Sequence, residues 1–222
     1  MTLAIIAANV VMFLFELALG PQLDAALIDW SIIPRLYTDP EIASQFGGSE
    51  LVLRCFSSMF LHGGWIHLLG NMWTLWIFGD NVEDRMGHLR FLGFYLLGGL
   101  VASGVHVMTN ADSVVPTIGA SGAIAGVMGA YFRFFPHARV EAVIPPFILG
   151  PIFELPALVF LGWWMLLQFF NGTLSLISGN TFGGVAWWAH IGGFMFGIAL
   201  SLTMPRRPPL LQASYIDDDD RV

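Results

Sequence analysis

Six stretches of nearly unbroken apolar sequence decide which solvent this chain folds in. They lie near Leu3–Leu19, His67–Asn81, Phe91–Met108, Ser121–Phe135, Phe147–Phe170 and Val185–Met204. They fill most of the 222 residues and leave 11% charged residues against 56% hydrophobic. Soluble domains carry about 25% charged residues. A hydrocarbon core of about 30 Å is crossed by roughly 20 helical residues, and lipid tolerates no unpaired backbone polar groups. The expected fold class is therefore an all-α polytopic membrane protein with six transmembrane helices. The second and fourth stretches are short for a full crossing. There is no long internal repeat and no second domain. Residues 1–205 read as one membrane domain, and 206–222 as a short acidic cytoplasmic tail. The N-terminus has neither a charged n-region nor an obvious cleavage site, and its first stretch reads as a retained helix rather than a signal peptide.

Charge placement gives an expected orientation. All nine basic residues are arginines. Arg85, Arg90, Arg133, Arg139, Arg206, Arg207 and Arg221 fall on one side if all six stretches cross, and only Arg35 and Arg54 on the other. The positive-inside rule then puts both termini in the cytoplasm. Of the net charge of -7, four units come from the run Asp217 to Asp220; removing it leaves -3, and no nucleic acid is expected as a partner. Cys55 is the only cysteine, which excludes an intramolecular disulfide and a Cys-based metal site. His62 and His67 are off the spacing of the zinc motif HExxH, which is absent, so no metal and no cofactor is expected. The long first loop, Gly20 to Leu61, includes Trp30, Ile32, Tyr37, Phe46 and Phe56. It is too apolar for a linker and is expected to fold as short membrane-associated helices.

Three stretches place polar side chains inside apolar spans: "HGGWIHLLGNM" from His62, "GASGAIAG" from Gly119 and "AHIGGFMFG" from Ala189. At about 1.5 Å per helical residue, Ser121 lies ~18 Å above Arg133, Asn71 ~21 Å above Arg85 and His190 ~24 Å above Arg206. With His67 slightly higher, all four are assigned to the outer third of the membrane. The fourth span is only ~22 Å long. Its incoming segment, Asn110 to Ala120, is therefore expected to dip into the protein, with Ser121 opening a helix whose first N–H groups are free. Ser121, Ala125 and Gly129 share one face of that helix; Ala186, His190, Gly193 and Gly197 share one face of the sixth. If these small faces meet, Ser121 and His190 come within hydrogen-bonding reach.

Bland readings compete with this. A serine at a helix start is ordinarily an N-cap. His67 and Asn71, at i,i+4, serve equally well as glue between helices. Glu83 and Arg85 read as a structural pair bracing an inner loop. His106 lines the outer end of the third span, and His88 and His137 read as solvated. Glu16 and Glu154 are assigned no chemistry.

The set "HGGWIHLLGN", "GASG" and "AHIGG", in that order on six spans, resembles the rhomboid family of intramembrane serine proteases, particularly its prokaryotic six-helix forms. "EDRMG" after the second span and "LPALVFLGWWMLLQ" in the fifth extend the likeness over nearly the whole chain. The resemblance implies a six-helix rhomboid-like bundle and a Ser–His dyad, with Ser121 as nucleophile and His190 as general base. It further implies that His67, Asn71 and the backbone N–H groups of Ala120 and Ser121 bind the developing oxyanion. Arg54 matches an arginine of the family's first loop, preceded here by Leu53 where members often have Trp. Where an aromatic residue often stacks on the base, one turn after the serine, this chain has Ala125. With no carboxylate placed as a third member, packing is expected to hold His190, under a mobile roof at Asn171–Gly184.

The expected function is a serine endopeptidase of the cell membrane, cleaving single-span proteins in or near their transmembrane helices. The alternatives are a catalytically silent relative that binds or escorts transmembrane clients, and a transporter. For the transporter no charged pathway or repeat pair is visible.

Overall fold

The computed structural model describes residues 1–142, 153–178 and 185–204. The helices are α1 (Thr2–Leu19), α2 (Leu23–Trp30), α3 (Arg35–Thr38), α4 (Pro40–Ala43), α5 (Gly48–Ser58), α6 (Trp65–Met86), α7 (His88–Thr109) and α8 (Ser121–Phe134). A short antiparallel pair follows, β1 (Arg139–Ala142) with β2 (Phe153–Pro156), and then α9 (Ala157–Ser178) and α10 (Trp187–Leu202). The chain is a polytopic all-α membrane protein. The segments Thr2–Trp30, His88–Thr109 and Ala157–Ser178 are each long and apolar enough to cross a membrane. Large apolar side chains such as Val11, Trp73 and Trp163 face outward, the arrangement of a bundle solvated by lipid.

The centre of the bundle is α8, packed by α6, α7, α9 and α10. Every residue from Gly122 to Tyr131 is buried. Its tightest neighbour is α10, because glycines face each other where the two helices cross. A Cβ on Gly197 would run into the carbonyl of Gly126, and one on Gly129 into the carbonyl of Phe194. Lipid supplies no hydrophobic force between helices, so close backbone packing of this kind carries association. The face of α8 that meets α10 is thus Gly122, Gly126 and Gly129, with Ala125 fully buried in the core.

The helix α1 buries Ile5, Asn9, Phe13 and Glu16 along one stripe against α6. Glu16 accepts from the backbone N–H of His62 at 3.1 Å, which ties the approach to α6 onto α1. At the far end, Glu83 accepts the N–H of Thr2 at 2.6 Å and pairs with His88. The expected Glu83–Arg85 pair is not formed: the Arg85 guanidinium lies over the ring of Phe135 at 4.8 Å. Gly87, with φ of 82°, makes the sharp turn into α7, a backbone shape that favours glycine.

The first loop is folded, as its composition suggested, with α2 to α5 packed together. Arg54 is buried and donates to the carbonyl of Ile28 at 2.8 Å. Ser57 Oγ donates to Trp30 O at 2.7 Å and Tyr37 OH to Leu51 O at 2.9 Å. Ile32 and Thr117 exchange backbone hydrogen bonds of 3.1 and 2.7 Å, and Gly119 N–H donates to Ser58 O at 2.8 Å. The loop thereby holds the segment that leads into α8.

Three boundaries differ from the sequence expectation. The second long helix runs from Trp65 to Met86 and is not short, because polar Asp80, Glu83, Asp84 and Arg85 extend the helix beyond its apolar stretch. The fifth begins at Ala157 rather than Phe147: Phe153–Pro156 is a strand, paired Glu154 to Glu141, with Arg139 bonded to Glu154 at 3.1 Å. The same helix continues through Asn171 to Ser178, so that part of the expected roof is helical; Asn171 Nδ2 donates to Leu167 O at 2.8 Å. Residues 179–184, the acidic tail and Arg206, Arg207 and Arg221 lie outside the described residues.

Candidate active site

Gly119 enters the site with φ of 126°, a conformation an L side chain rarely adopts. A Cβ there would stand 2.7 Å from His67 Nε2. Ala120, fully buried, then turns the chain into α8 and accepts the first helical bond from Ile124 N–H at 3.0 Å. The N–H groups of the first turn have no intrahelical acceptor and carry the positive end of the helix dipole. The N-cap position is held by Ala120, and Ser121 is the first residue of α8. Its Oγ lies 2.8 Å from Nε2 of His190 on α10, across 69 residues of sequence. The ordinary capping role is therefore not the one the hydroxyl plays.

The helix contact sets that distance. Gly193 is one turn beyond His190, and it allows α10 to press on the carbonyl of Gly122, next to Ser121. Two side chains from α9 complete the surroundings of the imidazole. Gln168 Oε1 lies 2.8 Å from His190 Nδ1, and the Trp164 ring lies 5.9 Å away, tilted by 31°. Aromatic neighbours of the base thus come from α9 and, with Trp187 at 6.4 Å, from α10 itself, while position 125 is filled by a core alanine. The expectation that packing alone orients His190 is corrected: a hydrogen bond contributes as well.

His67 and Asn71 face the same cavity as Ser121 and His190. Gly63 N–H donates to His67 Nδ1 at 3.3 Å. A neutral imidazole that accepts at one nitrogen carries its proton on the other, so Nε2 of His67 is the donor. The side chain of Asn71 is buried, and its Nδ2 has no hydrogen-bond partner among the described residues. Such a buried amide costs free energy unless something accepts from it. The cavity measures about 1160 Å³ and runs between α6 and α9, from Gly63 to Val140, with Ile77 and Phe78 on one wall and Phe160 on the other.

His106 is buried one layer further in. Asn110 Nδ2 donates to its Nδ1 at 3.2 Å, and its Nε2 lies 2.9 Å from Thr117 Oγ1, which steadies the segment before Gly119. Gln168 and Trp164 were not singled out from the sequence. The signal was present: Gln168 is the only amide, hydroxyl or charged side chain between Ala157 and Phe170. Polar residues inside a membrane segment are functional hypotheses by default.

Comparison with known proteins agrees with this architecture. The chain is 29% identical over 202 residues to the mitochondrial presenilin-associated rhomboid-like protein of Bos taurus, covering 87% of this chain and 46% of that protein. It is 30% identical over 164 residues to RHOMBOID-like protein 5 of Arabidopsis thaliana, covering 74% of this chain and 47% of that one. It is 34% identical over 154 residues to Rhomboid-like protease 5 of Toxoplasma gondii, covering 67% of this chain and 16% of the relative. The chain spans less than half the length of each of these relatives. The family model for the rhomboid domain matches residues 49–207, from α5 through α10. With its membrane helices in that order and more than two thirds of its length matched, the chain belongs to the rhomboid family.

Proposed function

We propose that this chain is an intramembrane serine endopeptidase that cleaves membrane-anchored proteins in or near their transmembrane helices. The observation that carries the reading is the 2.8 Å contact between Ser121 Oγ and His190 Nε2, in a cavity that His67 and Asn71 also line. A serine hydroxyl becomes nucleophilic when a positioned base takes its proton in the transition state. Ser121 Oγ attacks the scissile carbonyl carbon as its proton passes to His190 Nε2. The carbonyl oxygen takes up the negative charge and is met by Asn71 Nδ2, His67 Nε2 and the N–H groups of Ala120 and Ser121. Each such donor is commonly worth ~3 kcal/mol in the transition state. Collapse breaks the C–N bond, and the imidazolium returns its proton to the leaving amine. Water then attacks the acyl-enzyme, gives its proton to His190, and the ester bond breaks to restore Ser121.

The cavity between α6 and α9 suits an apolar substrate segment. Ile77, Phe78 and Phe160 offer it an apolar wall, and the polar groups gather at one end. Residues 1–205 form the proposed catalytic unit. The arginine-rich side, with Arg85, Arg133 and Arg139, is the proposed cytoplasmic face of a prokaryotic cell membrane, as charge bias and the six-helix form suggest.

Detergent-purified protein incubated with a single-span model substrate tests the proposal. Wild-type protein should cleave and should be labelled at Ser121 by a fluorophosphonate, whereas Ser121→Ala and His190→Ala should do neither. Cleavage that persists in Ser121→Ala refutes the nucleophile.

A further inference from the structure

A neutral imidazole has one N–H and one lone pair, and only the lone pair can receive a proton from serine. In free histidine both tautomers exchange, so a base that must accept at Nε2 needs its proton held on Nδ1. The group facing Nδ1 therefore matters as much as the group facing Nε2.

Among the described residues, four side chains make hydrogen-bond or ring contacts with His190: Ser121 from α8, Trp187 from α10 itself, and Trp164 and Gln168 from α9. Of these only Gln168 meets Nδ1. Its amide orientation is set from the other end, because Gln168 Nε2 donates to the carbonyl of Trp164 at 3.3 Å, one turn back on α9. That bond turns Oε1 toward His190. A reversed amide would place Oε1 against the Trp164 carbonyl, acceptor against acceptor. The side chain is buried, so water does not compete for either bond. An amide oxygen 2.8 Å from Nδ1 can only accept, so it favours the tautomer with the proton on Nδ1 and leaves the lone pair of Nε2 for Ser121 Oγ, 2.8 Å away.

We propose that Gln168 is a positioning residue that selects the accepting tautomer of His190, the task a carboxylate performs in a Ser–His–Asp triad. The inference rests on the Ser121–His190 reading above. An amide differs from a carboxylate in bearing no charge: it fixes ring and tautomer without attracting a cation. The same helix supplies both orienting contacts, since Trp164 and Gln168 are one turn apart. A shift of α9 therefore displaces the base together with the wall of the cavity.

Two substitutions in the full-length, detergent-purified protein separate this role from simple helix packing. Gln168→Met keeps the side-chain length but offers Nδ1 no oxygen. Gln168→Glu keeps an oxygen toward Nδ1 and loses the donor to the Trp164 carbonyl. Cleavage of a single-span model substrate and the rate of fluorophosphonate labelling are measured for both, with Tm as the check on folding. In serine proteases a wrongly tautomerised base costs about 10⁴ in kcat, and here Gln168→Met is expected to lose about 10² or more with KM within about threefold. Gln168→Glu is expected to stay within about tenfold of wild type, because the acceptor is retained. Wild-type kcat in Gln168→Met overturns the inference. So does an equal fall in both variants, which would make the amide a tie within α9. Ser121→Ala, assayed in parallel, keeps the two readings apart. Cleavage persisting there removes the dyad itself, whereas a silent Ser121→Ala beside a fully active Gln168→Met removes only the role of Gln168.

Discussion

The carbonyl of Gly122 occupies the space that a side chain on Gly193 would need, so α8 and α10 touch backbone to backbone beside Ser121 and His190. The hydrogen bond between the two polar residues depends on that contact, because backbone pressed on backbone leaves the helices no freedom to slide or turn and so fixes where the hydroxyl and the imidazole meet. Gly193→Ala inserts a methyl group against backbone that cannot rotate away. It should cost about 1–3 kcal/mol by overpacking, read as a lowered Tm, and should abolish cleavage by parting the pair. Unchanged Tm and activity would show that the helices have room to spare.

Asn71 is a buried amide with no partner for its Nδ2 among the described residues. Asn71→Ala should therefore leave Tm unchanged or slightly raised, while kcat falls by about 10²–10³ through loss of an oxyanion donor. Cleavage kinetics with thermal unfolding decide it; a large drop in Tm would make Asn71 a packing residue instead.

Glu16 accepts the N–H of His62 at 3.1 and 3.3 Å from its two carboxylate oxygens. Glu16→Ala leaves that buried N–H without an acceptor and should cost about 1–3 kcal/mol, with Glu16→Gln losing less because one oxygen remains. The ordering of their Tm values checks the claim. Equal Tm values for the two variants would contradict it.

Cys55 lies half-buried in the first loop, where burial pushes its thiol pKa up and Sγ lies 3.6 Å from Tyr37 OH. The thiolate is the reactive form, so at a given pH the native protein holds less of it than the unfolded chain. Alkylation of native protein should require a higher pH than alkylation after denaturation. Arg54→Ala, which frees the Ile28 carbonyl, should bring the two pH profiles together by loosening the loop.

Much of the site was legible in one dimension. The short stretch after "GASG" implied a helix opening inside the protein, and α8 does begin at Ser121 after an irregular segment held by Ile32 and Ser58. Small residues four apart implied close helix approach, and Gly193 and Gly197 make it. The start of the fifth helix was not legible, because an apolar run that contains prolines reads alike as buried helix or strand. Phe153–Pro156 pairs with Arg139–Ala142 through partners eleven to seventeen residues away.

Composition and periodicity alone determined that the chain would be a helical bundle in lipid, since a backbone without water must bond within its own segment. The fixed rise per helical residue added the expectation that Ser121, His190, Asn71 and His67 lie at a similar depth. Only the tertiary structure decided what holds the imidazole. Gln168 and Trp164 lie on another helix, more than twenty residues from His190, and no spacing rule spans that gap. Which face α9 turns inward is set by the packing of whole helices, with Trp188 Nε1 donating to Gly172 O at 3.2 Å one turn beyond Gln168.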